Sequence, residues 1–375
     1  MNNITKKLFI LLIIVPFILC GCWDQVLVEQ VGFLTIVGIE SAPAGGMKLT
    51  YAMPVIDPTV TKARGEILDT EANLIREARD KLNRSSAKQM LAGKIQLVLY
   101  SKEIAEKGVI ADTNSIFERD PSDPILAWVV IVDGSSRELI HGVENLKDKP
   151  RPSTYMNQLL ERAVHTAAIP ETRVFSYDLI SMTPGIDNIA PLIKFTDNSI
   201  EVKGSALFSK GKMVGTINQR QNALLTAMMK TLKSKDPSYS ASDITNKNND
   251  KPKHGLEILI SQKGKKISIS IKDNKPVVDI NLDLNGTISE YEFDNLNDES
   301  KVKQLNEHVQ EQIQGDCQRL IEYMQSIESD PIGIGDMVRA KHNSYFKRVD
   351  WHTAYKNATI TAHVKFNIIQ YGVIQ

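Results

Sequence analysis

Residues 256–284 read LEILISQKGKKISISIKDNKPVVDINLDL, and this stretch decides the architecture of the last third of the chain. Polar and apolar side chains alternate through three runs, residues 256–261, 267–272 and 278–284. Because successive side chains of a strand point to opposite faces of a sheet, each run predicts a strand with one apolar face. Short turns between the runs predict an antiparallel meander, with the basic Lys263-Gly264-Lys265-Lys266 at one hairpin tip.

The apolar face of this meander needs a cover, and the sequence supplies one directly afterwards. Between Val302 and Ile327, apolar residues recur every three or four positions, which predicts an amphipathic helix about 40 Å long. Cys317 lies on this stripe, and we expect it to be a small core residue. A helix from about Ile334 to Phe346 and a closing strand from Ala358 to Ile369 complete a predicted α+β domain.

Towards the N-terminus, helices alternate with strands. Nearly continuous apolar runs at Val31 to Ile39 and Leu126 to Val132 predict strands, and the second has no polar face, so we expect it to be covered on both sides. Another strand is predicted from Lys94 to Tyr100, followed by a helix that Ser101 caps and Gly108 ends. These alternations predict a mixed α/β layer domain.

Two further segments of this region carry specific predictions. Residues 56–69 are polar and predict a loop, after which Thr70 can cap a helix that contains Leu74, Ala78 and Leu82. A hairpin is predicted around Ser209-Lys210-Gly211-Lys212, where Gly211 and Gly215 suit turn positions with positive φ.

The length of 375 residues is too large for one ordinary core. We therefore predict a multi-domain α+β protein with an N-terminal domain over residues 22–197 and a C-terminal domain over residues 198–375. A stretch at residues 142–153, which contains two prolines, marks a candidate subdivision of the first domain. Lys plus Arg and Asp plus Glu each total 45, so the composition shows no excess of basic residues for nucleic acid.

The first 21 residues have the pattern of an export signal. Lys6 and Lys7 precede an uncharged run from Leu8 to Cys20, and small residues follow it. A helix of that length reaches about 20 Å, which is short for a bilayer core of about 30 Å and disfavours the alternative of an uncleaved membrane anchor. Leu19-Cys20-Gly21-Cys22 resembles a bacterial lipobox. That resemblance implies cleavage between Gly21 and Cys22, with a diacylglycerol group and an N-acyl chain on Cys22.

Catalytic patterns are missing from the sequence. The seven histidines include no His-Glu-x-x-His pair, and neither a Gly-x-Ser-x-Gly elbow nor a P-loop is present. Processing as predicted would leave Cys317 as the one thiol, which excludes a disulfide framework and any site built from several thiolates. We therefore expect no enzyme activity, no cofactor beyond the lipid on Cys22, and no metal site.

Several stretches together resemble the lipoprotein C subunits of spore germinant receptors, the Ger(x)C family. They follow one another in the family's order along nearly the whole chain: Gly21-Cys22-Trp23-Asp24, Val37-Gly38-Ile39-Glu40, Ile104 to Gly108, Phe117 to Pro121, Val132-Asp133-Gly134, Lys203 to Gly215, Ser329 to Gly335, and the last strand with Tyr371-Gly372. The resemblance implies a non-catalytic lipoprotein outside the spore inner membrane, assembled with two membrane-spanning subunits into a receptor for small nutrient germinants.

One of these stretches is a candidate partner surface. Ser329 to Gly335 is a turn in which we expect an exposed backbone, so the resemblance there suggests contact with a partner through Asp330, Pro331, Ile332, Gly333, Ile334 and Gly335. A structural alternative is that Asp330-Pro331 caps and starts the next helix, with the two glycines in a tight turn.

Two other functions stay open at this point. A solute-binding envelope lipoprotein that serves a transporter would share the anchor, and so would an envelope hydrolase. The sequence does not decide whether the chain itself binds a small molecule.

Overall fold

Two large sheets, each packed against helices, organise the computed structural model. It describes residues 30–43, 45–55, 65–118, 124–146, 149–197, 199–229, 238–242, 255–291 and 298–371. An eight-stranded sheet forms the N-terminal part, a four-stranded sheet forms the C-terminal part, and a parallel pair of short strands adjoins the first. The predicted fold class, a multi-domain α+β protein, is confirmed.

The eight-stranded sheet has the order β10-β9-β8-β7-β6-β2-β3-β4, and its four central strands β8, β7, β6 and β2 are parallel. Antiparallel strands complete both edges. The short pair consists of β1 and β5. The strand bounds are β1 Val31–Phe33, β2 Ile36–Ser41, β3 Met47–Pro54, β4 Gly65–Ala72, β5 Gln89–Leu91, β6 Leu97–Ser101, β7 Trp128–Val132, β8 Ile189–Thr196, β9 Ser199–Ser209 and β10 Lys212–Asn218.

Helices cover both faces of this sheet. Every residue of β7 is therefore buried, as its apolar run predicted, although Leu126 precedes the strand and is exposed. Every residue of β6 is buried as well. Helices α1, α2, α3 and α6 pack on one face, and α4 and α5 pack on the other. Their bounds are α1 Ile75–Ser85, α2 Lys102–Lys107, α3 Ile110–Glu118, α4 Ser136–Glu144, α5 Pro152–His165 and α6 Val174–Ser181. Because β9 pairs with β8 and β10 pairs with β9, the sheet continues past residue 197, where the sequence suggested a domain boundary.

The local predictions around β4 and α2 have different outcomes. The prediction of a loop up to Thr70 is wrong for its described part, because residues 65–72 form the edge strand β4, whose polar side chains suit an exposed edge. Helix α1 accordingly begins at Ile75, and Thr70 does not cap it. The prediction for α2 is confirmed, since the Ser101 hydroxyl accepts from the Ile104 N–H and Gly108 ends the helix at φ 81°.

The C-terminal sheet has the order β11-β12-β13-β14, with bounds β11 Ser238–Ser242, β12 Gly255–Lys272, β13 Lys275–Tyr291 and β14 Thr359–Tyr371. The predicted meander is wrong in one respect, because its first two runs form the single strand β12 with a bulge between Gln262 and Gly264. The basic residues there are no hairpin tip: Lys265 Nζ donates to the carbonyls of Met228 and Met229, at the end of helix α7, Gln219–Met229. The hairpin turn lies instead at Asp273 and Asn274, both with positive φ.

The long helix α8, Glu299–Ser326, covers this sheet as predicted. Cys317 is fully buried within its apolar stripe. The buried residues of the stripe are Leu305, Val309, Ile313, Cys317, Leu320 and Met324. A second stripe of amides follows strand β14, since the side-chain oxygens of Asn306, Gln310, Gln314 and Gln318 accept the N–H groups of Ile368, Phe366, Val364 and Ala362. Amides four residues apart on the helix thus satisfy donors two residues apart on the strand.

The end of the chain adds three short helices before β14, which pairs in parallel with β13. They are α9 Ile334–Lys341, α10 Asn343–Phe346 and α11 Trp351–Lys356. The predicted helix from Ile334 to Phe346 is therefore interrupted at His342. Within the described ranges, the helices are too short or too polar to cross a membrane.

Candidate functional site

The sequence singled out two places, and they have different outcomes. Gly21 and Cys22 lie outside the described residues. The second place, residues 329–335, is buried along its whole length, and Asp330 and Ile334 have no exposed surface. The expectation of an exposed turn is therefore wrong, because this loop packs between the N-terminal sheet and the C-terminal helices. The premise of a partner surface at Asp330, Pro331, Ile332, Gly333, Ile334 and Gly335 falls with it.

The carboxylate of Asp330 organises this loop. Its Oδ1 accepts the N–H groups of Gly333 and Ile334, both at 3.0 Å. Its Oδ2 accepts the Gly335 N–H at 2.8 Å and the Trp351 indole N–H at 3.1 Å. One buried side chain thus satisfies the free N–H groups at the start of α9 and fixes α11 beside them. The alternative interpretation holds in part, because the Asp330 carboxylate accepts these N–H groups, whereas Gly333 occupies the N-cap position and Pro331 precedes the helix.

Asp187 connects this loop to the N-terminal part. The Asp330 N–H donates to Asp187 Oδ2 at 2.9 Å, and the Asp187 N–H donates to the Asp330 carbonyl at 3.0 Å. The other carboxylate oxygen of Asp187 accepts the Lys210 N–H and lies 3.2 Å from His352 Nε2. We call Asp187, Asp330, Trp351 and His352 the carboxylate joint.

Further contacts tighten the same boundary. The hydroxyl of Ser329 donates to the Phe208 carbonyl at 2.6 Å, and that of Ser209 donates to the Glu328 carbonyl at 2.7 Å. Gly185 and Gly335 meet so closely that a Cβ on Gly185 would lie 2.5 Å from the carbonyl carbon of Gly335. The close approach explains why residues without side chains occupy these two positions.

Burial and hydrogen bonding shift the pKa values of two groups in the carboxylate joint. Burial raises the pKa of the Asp330 carboxyl to about 7, although the N–H donors of Gly335 and Ile334 oppose that shift. The hydrogen bond to Asp187 raises the pKa of His352, which also faces Lys210 and Asp350. Both pKa values are therefore higher than those of the free side chains.

The hydrogen bonds of the carboxylate joint give it a structural role. The Asp330 oxygens are already occupied by four donors, so they have little capacity to act on a substrate. In the part of the chain that the structure describes, no three His, Cys, Asp or Glu side chains cluster closely enough to hold a metal ion. The joint fixes the relative position of the two sheets.

Other stretches that carried the family resemblance also have structural roles. Glu40 Oε1 accepts the Ser135 hydroxyl at 2.7 Å and the Arg137 N–H at 3.0 Å, at the start of α4. Gly211 has the expected positive φ of 79°. Gly215 does not, and it is instead required by close packing, because a Cβ there would lie 2.4 Å from the Tyr323 hydroxyl.

The fold and the joint define a class: a two-part α+β protein whose halves are fixed together by buried carboxylates. Comparisons with known proteins also divide the chain into two parts. A model described as the spore germination protein N-terminal domain matches residues 24–195, and one described as spore germination B3/GerAC like, C-terminal, matches residues 203–372. The chain belongs to the Ger(x)C family.

Relatives align over their full length. The spore germination protein GerQC of Bacillus cereus is 23% identical, with 98% of this chain and 100% of the relative covered. The spore germination protein B3 of Bacillus subtilis is 19% identical, with 99% of each chain covered. A crystal structure of the GerBC protein has the same fold, with a TM-score of 0.59, 16% identity, and 92% of this chain and 100% of that chain covered.

Proposed function

We propose that this protein is a non-catalytic, lipid-anchored subunit of a nutrient germinant receptor that helps to trigger spore germination. The observation that carries the proposal is the pair of family matches, which lie in tandem and cover nearly the whole chain. The names of the full-length relatives, GerQC and B3 among them, point to the same process. The closely bonded joint agrees with a role in binding partners, because it presents the two halves as one unit.

The anchor in this proposal is Cys22. The lipobox Leu19-Cys20-Gly21-Cys22 directs cleavage after Gly21, and a diacylglycerol group with an N-acyl chain then holds Cys22 in the membrane. Two or more chains hold a protein stably, whereas one chain holds it only marginally. The body would face the extracytoplasmic side of the spore inner membrane and assemble there with two membrane-spanning receptor subunits.

A substitution at Cys22 tests the anchor. Cys22→Ala should block lipidation and cleavage, reduce the processed protein in spore membranes, and weaken germination through this receptor. Cys317→Ala is the matched control, because Cys317 is fully buried in α8 and has no part in processing. Full processing and normal membrane retention of Cys22→Ala would refute the anchor.

A further inference from the structure

Most of the exposed large apolar side chains of the described residues lie in one region of the N-terminal part. Leu126 is 72% exposed and Met182 is 71% exposed, values that are typical of side chains with no cover. Such exposure is ordinary for a single residue but not for a group of neighbours. We call the following six residues the apolar patch: Leu91, Ile125, Leu126, Phe175, Leu179 and Met182.

Five of the six residues lie on two adjoining segments, and the sixth, Leu91, lies across two adjacent hollows. The Phe175 N–H donates to the Ile125 carbonyl at 3.0 Å, which joins helix α6 to the segment before β7. Phe175, Leu179 and Met182 are spaced by four and three residues, so they line one side of α6 and its C-terminal end. Leu91 borders a hollow of about 340 Å³ that shares Gly93 and Lys94 with a hollow of about 430 Å³ beside Ile125 and Leu126.

The patch begins beside the point where the described chain starts. Residues Leu91 and Ile125 lie at the end of the sheet where the parallel strands β6 and β7 begin. Strand β1 starts at Val31, and its Phe33 pairs with Leu91. Cys22 precedes Gln30 by eight residues, so the chain between them can span about 29 Å at most. A lipid on Cys22 would keep this end of the sheet close to the membrane.

We propose that the apolar patch rests on the phospholipid bilayer into which the lipid of Cys22 inserts. The inference rests on the proposed anchor and adds a face to it: the protein would touch the membrane with side chains as well as with its lipid. Charges of both signs line the hollow beside Ile125 and Leu126, where Lys94 and Arg173 lie near Glu161. Apolar insertion therefore drives the contact, and neutral phospholipid suffices.

Leu74 provides a matched control. It is 59% exposed, yet it follows β4 at the opposite end of the sheet, where Ala72 pairs with Met47 and Met47 pairs with Ser41. A label on Leu74 should stay in water while a label in the patch enters the lipid. Cys317 does not interfere, because its thiol is fully buried.

The experiment uses the full lipidated protein in phosphatidylcholine vesicles. Leu126→Cys, Leu179→Cys and Leu74→Cys each receive an environment-sensitive fluorophore, and mass spectrometry first verifies the lipid on Cys22. We expect emission from positions 126 and 179 to shift to shorter wavelength and to lose most of its intensity when the lipids carry a quencher. Emission from position 74 should change little.

The outcomes separate this inference from the proposed anchor. A lipidated, vesicle-bound protein whose label at position 126 stays in water overturns the contact and leaves the anchor standing. An unmodified Cys22 overturns the anchor and the contact together. Protection of position 126 only when membrane proteins are added would assign the patch to a protein partner and also overturn the contact.

Discussion

Replacing Asp330 with alanine tests the role of the carboxylate joint. The change removes the acceptor of four N–H groups, three from the backbone of Gly333, Ile334 and Gly335 and one from Trp351. A buried donor left without a partner costs about 1–3 kcal/mol. The variant also no longer buries a carboxyl group, and this gain offsets part of the cost of the four unpaired donors. We expect Asp330→Ala to lower the free energy of unfolding by about 3–5 kcal/mol, because four unpaired donors together cost more than the relief returns.

The assay is urea unfolding of the full protein followed by tryptophan fluorescence, to which Trp351 contributes from within the joint. Asp336→Ala is the control, because the Asp336 side chain is only half-buried and forms an ion pair at the surface with Arg339. A surface pair of this kind contributes about 0–1 kcal/mol. If Asp330→Ala were as mild as Asp336→Ala, the joint would not hold the two halves together and the interpretation of the site would be wrong.

Three further predictions concern stability and chemistry. Leu305→Asp forces a charge between α8 and its sheet and should cost several kcal/mol, measured by urea unfolding, whereas Lys303→Asp on the exposed side of α8 should cost little. Stability should fall from pH 5 to pH 8, because the pKa of Asp330 is raised to about 7 and that of His352 is also raised. Both groups stabilise the fold when protonated, and this contribution is lost as pH rises through their folded-state pKa values. A melting temperature that does not change with pH, or a pH profile that is the same in His352→Gln, would contradict this. Alanine at each of the seven histidines should leave germination near normal apart from folding losses, and a well-folded histidine variant without function would revive an enzymatic or metal-dependent role.

Much of the fold could be predicted from the sequence because its patterns are local. The Val302–Ile327 stripe and the apolar run at β7 each predict burial from spacing or composition alone, and both are confirmed. The single strand β12 could not be recognised, because the basic residues 263–266 resemble a turn unless the partner of Lys265 at the end of α7 is known. Strand β4 cannot be distinguished from a loop by its sequence, because the side chains of this edge strand are mostly polar.

The candidate site was the harder part. Nothing near Asp330 in sequence indicates that Asp187, 143 residues away, accepts its N–H, so the sequence alone favours an exposed turn where the structure has a buried loop. The amide ladder on α8 did leave a signal, since Asn306, Gln310, Gln314 and Gln318 recur every four residues beside the apolar stripe. That spacing can be recognised as a second face of the helix once it is known that the amides accept hydrogen bonds from strand β14.

Co-purification from spore inner membrane tests the proposed function most directly. The native lipidated protein, isolated in mild detergent, should co-purify with two membrane-spanning proteins. Purification of the Cys22→Ala variant should recover smaller amounts of both. Recovery of a solute transporter, or of no membrane protein at all, would contradict the assignment to a germinant receptor.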